Sequence, residues 1–254
     1  MAVHVLNTEL IDDEARNVRI DLAAALRLAA YHDLQEGIDN HFTVTLPGFD
    51  DRYLMLPFGL HWSEARASDM IVFDEAGNTL EGEGLVEMTA NCIHAPIHRL
   101  SGKRVVMHTH QPWAVALNML EDNRLLPASQ TSALFESLIA YDNNYTGLAT
   151  MLEEGERLAD CLGDKSILFM KNHGVMVATN SIAASFKLLY LLEKACRTQI
   201  LAMSSGKPLS LVKPEIVDQL QTPSENDRHR RVRTSLFFDA MKRLLDREMP
   251  GYAE

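Results

Sequence analysis

A chain of 254 residues with 46% hydrophobic and 23% charged side chains can bury a domain-sized core, which excludes global disorder. Its 35 acidic against 24 basic residues leave a formal charge of −11, the wrong sign for gripping nucleic acid by its phosphates. Three scattered cysteines, Cys92, Cys161 and Cys196, exclude a disulfide framework and a sulfur-rich zinc site, and no apolar run approaches the ~18 residues of a membrane span. A protein of the cytoplasm, with no membrane or nucleic-acid partner, is the expectation.

From Glu9 to about Gln35, Val18, Leu22, Ala25, Leu26 and Ala29 recur at three- and four-residue steps, which predicts an amphipathic helix closed by Gly37. FTVTLPG (42–48), YLML (53–56) and MIVFD (70–74) read as strands, each ending near a turn signal. TANCIHAPIHRL (89–100) reads as a helix despite Pro96, VVMHTH (105–110) as a strand, and a further helix begins near Pro112. The run 149–162 is helical and stops at Gly163, and SILFM (166–170) with VMVAT (175–179) predicts a hairpin turning at Asn172-His173-Gly174. Ser181 caps a helix to about Met203. A polar, Pro-containing linker (204–227) and a last helix (228–247) follow, with Val232, Leu236, Ala240 and Leu244 on one side of it and a solvated basic face at Arg228–Arg233. The simplest organisation is one α/β domain over 1–203 with a C-terminal arm over 204–254.

Histidine is the unusual feature of the composition, with ten residues. Strand side chains alternate faces, so His108 and His110 project from one side and can chelate a single cation. His173, followed by a glycine that permits close approach, is a candidate third ligand; three histidines with an open position describe a catalytic metal site, typified by zinc but also suited to manganese or iron. Spacing alone leaves open the plainer reading of two unrelated histidines on a half-exposed strand. His94 and His98 lie i,i+4 on one helix face, but Ala95 stands where a zinc-protease motif needs Glu, and such pairs are usually surface or core residues. Phosphate-loop, dinucleotide and serine-hydrolase motifs are missing, which removes those chemistries.

VVMHTHQPWAVAL, followed some sixty residues later by LFMKNHGVMV and SIAASFKLLYLLEKACRTQ, resembles the class II aldolase/adducin family from about residue 18 to 203. The resemblance implies a three-layer α/β/α sandwich around a largely antiparallel sheet, a tetrameric homo-oligomer, and a divalent metal, zinc first, held by His108, His110 and His173. It also implies a small-molecule substrate and C–C bond cleavage, by retro-aldol reaction or decarboxylation. Departures are as informative. The catalytic Glu usual in the aldolases corresponds to Ala90 here, which leaves Glu87, a metal-bound water or a histidine such as His94 to handle protons. Phe58 replaces a phosphate-binding hydroxyl in the PFGL loop, although Gly59 is kept, so an unphosphorylated hydroxy or keto compound is expected. Asn40, His41, Gly59 and Thr89 are the candidate substrate-binding residues. The alternative is a non-catalytic interaction module like the adducin head.

Overall fold

The structure, a computed structural model, describes residues 2–221 and 227–254, with side chains for 12–221 and 231–254. Helix α1 (Ala2–Tyr31) leads into an antiparallel meander of β1 (His41–Thr45), β2 (Arg52–Met55), β3 (Ile71–Asp74) and the short β4 (Thr79–Glu81). Helix α2 (Met88–Ser101) returns the chain to β5 (Val105–Thr109), which pairs with β1. After α3 (Pro112–Asn118) and the single turn α4 (Gln130–Ala133) come β6 (Ile139–Asp142), α5 (Leu152–Leu162) and the hairpin of β7 (Ile167–Met170) and β8 (Val175–Thr179). Helices α6 (Ile182–Met203), α7 (Pro214–Gln221) and α8 (Asp227–Glu248) complete the described chain.

All eight strands form one sheet in the order β4-β3-β2-β1-β5-β8-β7-β6, antiparallel except for the β6–β7 pair. Alternation along the strands sorts the core into two layers. Phe42, Val44, Val105, Met107, Phe169 and Val177 face α1, α6 and α8, while Val106, Leu168, Met176 and Ala178 face Ile93 and Ile97 of α2 and Leu158 and Leu162 of α5. The expected α/β/α sandwich is therefore present. Strands β4 and β6 were not legible, the first because all three of its residues are exposed and the second because its pairing is tertiary.

Helix α1 ends six residues before Gly37. Asp33 takes the left-handed conformation (φ 57°), its N–H donating to Ala30 O and that of Leu34 to Ala29 O, a Schellman closure. Gln35 and Glu36 thereby leave the helix and join the loop that leads to β1. The helix expected from 149 begins at Leu152. Pro96 lacks the N–H that would bond Cys92 O within α2, and the backbone of α5 packs there instead. A Cβ at Gly155 would overlap that same carbonyl, so this helix pair touches backbone to backbone.

The stretch expected as linker holds α7, whose Val217 is buried, and Val212 N–H donates to Pro127 O (2.8 Å). Residues 222–226 of that stretch lie outside the described residues. On α8 the buried face is not the expected one: Val232, Leu236 and Ala240 are exposed, Leu244 is half-buried, and Phe237, Phe238, Met241 and Leu245 pack on α6 and α1. The two phenylalanines offer more apolar area than the Val and Ala of the rival row, which decides the rotation of the helix. The basic face starts at side chains outside the described set, and Arg231 and Arg233 are exposed. Buried Arg27 ties down the C-terminus, donating to Ala65 O (2.6 Å), Glu64 O (3.1 Å), Met249 O (3.2 Å) and Pro250 O. No described helix is long and apolar enough to cross a membrane.

Candidate metal centre

Strand β5 runs between β1 and β8 near the middle of the sheet, and its two histidines end against the β7–β8 turn. Buried His108 has Nδ1 3.1 Å from Val175 O; a carbonyl only accepts, so Nδ1–H donates and Nε2 keeps its lone pair. His110, just past the strand, has Nδ1 2.5 Å from Glu36 Oε2, and its backbone N–H donates to Asn40 Oδ1 at 3.1 Å. The two Nε2 atoms are 3.1 Å apart. That is near the roughly 3.3 Å between two nitrogens each ~2.0–2.1 Å from one tetrahedral cation.

His173 is delivered by the hairpin turn. Asn172 takes φ 58°, His173 N–H donates to Met170 O (3.0 Å), and Asn118 Nδ2 secures Gly174 O at 2.9 Å. Its ring centroid lies 4.8 Å from those of His108 and His110, and one ligand nitrogen of each residue falls within 4.8 Å of the others. A Cβ on Gly174 would sit 2.5 Å from Thr109 O and 2.7 Å from the His110 ring, so glycine is what lets the turn close on β5. Burial pushes His108 well below the ordinary imidazole range and His173 down to about 4, which keeps both in the neutral, ligating form. Three convergent imidazoles, two of them oriented by a carbonyl and a carboxylate, fit a divalent cation with open positions.

Beside this centre lies a second set of histidines. Strand β1 presents His41, Thr43 and Thr45 to the α2 side of the sheet, where His94 and His98 stand one turn apart. The rings are fully packed: His41 Nδ1 is 2.9 Å from His94 Nε2, Thr43 Oγ1 is 2.7 Å from His94 Nδ1 and 2.8 Å from His98 Nε2, and His98 Nδ1 is 2.7 Å from Lys103 O. Both nitrogens of His94 and His98 are thus committed, so this pair is core and not a rival metal site. His94 has no exposed surface and reaches the centre only through His41, whose ring centroid lies 5.2 Å from that of His108. The structure thus places His94, a candidate for handling substrate protons, one ring behind the cavity, in contact with it through His41.

Glu87 bends inward from the loop before α2. Its Oε2 caps the helix, accepting from Ala90 N (2.6 Å) and Thr89 Oγ1 (2.5 Å), and lies 3.7 Å from His41 Nε2. Thr89 is brought in by that bond and sits 3.4 Å from the same nitrogen. A cavity lined by Asn40, His41, Phe58, Gly59 and Glu87 joins three of the expected site residues, Asn40, His41 and Glu87, to the fourth, Gly59 of the PFGL loop. Asn40 Oδ1 accepts from Glu36 N (2.8 Å) and His110 N, while its buried Nδ2 has no hydrogen-bond partner among the described residues. Ala90 is fully buried. A second cavity, on the His173 side, is lined by Asp142, Tyr145, Thr146 and Arg157. Glu36, Thr43 and Tyr145 carried no sequence signal, because only the folded loops at Glu36 and Tyr145 and the packing of β1 under α2 at Thr43 bring them to the histidines.

A family model described as Class II Aldolase and Adducin N-terminal domain matches residues 20–200, and the chain belongs to that family. It is 32% identical over 238 residues, 93% of this chain and 91% of the other, to a protein of Caulobacter vibrioides named for the class 2 aldolases. It is also 30% identical over 177 residues, 68% of this chain and 65% of the other, to the decarboxylase NovR of Streptomyces niveus. Among solved structures, an aldolase II superfamily protein from Pseudomonas syringae superposes with a TM-score of 0.85 at 31% identity, covering 94% of this chain and 96% of the other.

Proposed function

We propose that this protein is a metal-dependent lyase that breaks a C–C bond of a small, unphosphorylated hydroxy or keto compound, by retro-aldol cleavage or decarboxylation. The convergence of His108, His110 and His173 within 4.8 Å carries the reading. A bound divalent cation, zinc first and manganese or iron as alternatives, would supply Lewis-acid stabilisation of the negative charge left on oxygen when the bond breaks. The chain's own residues do the rest. His108 and His110 are held in ligating orientation by Val175 O and Glu36, and Asn40 Nδ2 is a free buried donor for a substrate oxygen. Glu87 is the carboxylate lining the same cavity and is the candidate proton-handling group in place of the missing Glu at Ala90. Half-exposed Phe58 offers the substrate an apolar ring where a hydroxyl would grip phosphate. Similarity to a protein named decarboxylase supports the lyase class.

Ala90 itself favours a second reading, an adducin-head-like module that kept the fold without the chemistry. Elemental analysis separates the two: wild type should carry one divalent ion per chain, His108→Ala close to none, and His94→Ala nearly as much as wild type. Unchanged stoichiometric metal in His108→Ala would overturn the assignment. Turnover is then assayed on paired free and phosphorylated hydroxy-carbonyl compounds, with aldehyde and carbon dioxide both monitored. Cleavage of sugar phosphates alone would overturn the substrate class, and no cleavage despite full metal would leave the module.

A further inference from the structure

The run of buried polar groups behind His41 has a direction. Its inner end is the Lys103 carbonyl, which can only accept, so the 2.7 Å contact obliges His98 to carry its proton on Nδ1. Thr45 Oγ1, 3.4 Å from that nitrogen, is too distant to compete. A neutral His98 therefore accepts at Nε2, and among the described residues the only donor within reach is the Thr43 hydroxyl at 2.8 Å. Having given its single proton, Thr43 Oγ1 must accept from His94, which places the His94 proton on Nδ1 (2.7 Å). His94 Nε2 is then a lone pair, and the 2.9 Å contact requires His41 Nδ1–H to donate into it. Each step follows from the one before, and the last leaves His41 Nε2 without a proton.

That nitrogen faces Glu87 Oε2 across 3.7 Å, and the Thr89 hydroxyl between them gives its proton to the carboxylate at 2.5 Å. Two acceptors confront each other at the wall of the cavity that also holds the unpartnered Asn40 Nδ2. The cavity, about 10 Å³, has room for little more than one oxygen-sized group, which is best matched if it brings an O–H to donate.

We propose that His98, Thr43 and His94 are positioning residues that lock His41 in its Nδ1–H tautomer, so that His41 Nε2 serves as the acceptor for a hydroxyl of the bound substrate. The selection of hydroxylated over deoxy compounds rests on the lyase reading above; the tautomer does not. Carboxylic acids that differ only by the hydroxyl, glycolate and acetate, are suitable probes. The hydrogen bond of the hydroxyl to His41 is equivalent to about five- to tenfold in affinity, on top of any chelation of the metal that the hydroxyl adds.

The test is nitrogen NMR of the full-length chain labelled with ¹⁵N-histidine, metal-free and zinc-loaded, which distinguishes Nδ1–H from Nε2–H imidazoles residue by residue. In the metal-free wild type, His41, His94 and His98 should all be Nδ1–H. Thr43→Val keeps the side-chain shape and removes the hydroxyl; it should free His94 to donate from Nε2 and drive His41 to the Nε2–H form, pointing at Glu87. Thr43→Ser should restore the wild-type pattern. A wild-type His41 found as Nε2–H overturns the proposal without recourse to any variant, as does a folded Thr43→Val whose His41 is unchanged. Because glycolate can also chelate zinc, the readout is the glycolate-over-acetate preference of zinc-loaded wild type relative to that of zinc-loaded Thr43→Val, which should be about five- to tenfold greater in the wild type. The same preference in wild type and Thr43→Val would overturn the acceptor role. Failure to hold zinc would sink the lyase reading instead, while the metal-free spectra would still decide the tautomer.

Discussion

Gly174 shows how a single atom governs the centre. With Thr109 O and the His110 ring in the space of a Cβ, Gly174→Ala must push the hairpin turn away from β5 and carry His173 with it. Overpacking of this kind costs about 1–3 kcal/mol. We expect a lower thermal midpoint and, in metal titrations, an affinity weakened more than the fold is. His98 makes the acid sensitivity of the fold specific. Burial pushes it down to about 4 from an ordinary 6.5, so between those values only the unfolded chain takes up its proton. Its contribution is intact above pH 6.5 and is lost as pH falls toward 4. Urea midpoints should drop between about pH 7.5 and pH 5, less steeply in His98→Gln, and an identical slope in the variant would refute the assignment.

Helix α8 is bound by its aromatic face rather than by charge. Phe238 is buried beside Phe186 of α6, with ring centroids 6.0 Å apart, while Lys242 reaches Asp21 of α1 at a half-exposed 2.9 Å ion pair. Exposed pairs contribute little, whereas truncating a buried phenylalanine costs roughly 3–5 kcal/mol. Phe238→Ala should therefore destabilise the chain by about 3 kcal/mol in chemical denaturation, and Lys242→Ala by less than about 1 kcal/mol. Comparable losses would mean that the helix is held otherwise. The contact of α2 with α5 has a different basis, since Gly155 and Pro96 let two backbones meet where side chains would keep them apart.

For the molecule as a whole, apolar surface remains beside the His173 cavity. Tyr145, Leu148 and Met151 are exposed in the loop before α5, and so is Met119 at the end of α3. Side chains of this kind, next to a polar site, suit a covered surface better than an open one. Helix α8 buries its aromatic face against α1 and α6, while Val232 and Leu236 on its other side stay exposed. A homo-oligomer, and a tetramer in particular, is the expected state, and multi-angle light scattering at micromolar concentration checks it. Leu148→Asp should shift the mass toward monomer; a wild type that is already monomeric would refute the expectation.

Local pattern alone determined much of this protein. Strand periodicity placed His108 and His110 on one face, the Asn-His-Gly turn announced the hairpin that carries His173, and most helices and strands, though not α4 or α7, followed from apolar spacing and caps. These features are written in neighbouring residues, where the chain's own geometry dictates them. Only the tertiary structure decided which groups stand behind the ligands. Glu36 reaches His110 because Asp33 ends α1 early, and Thr43 links His94 to His98 because β1 lies under α2. His94 changed from a candidate proton carrier into a buried link because both its nitrogens meet partners about fifty residues away in the chain. The face of α8 that is buried was likewise settled by competition between two apolar rows for one surface on α1 and α6. A sequence displays both rows, but only the packed neighbour selects between them, since burial energy depends on the area that the opposing surface can cover.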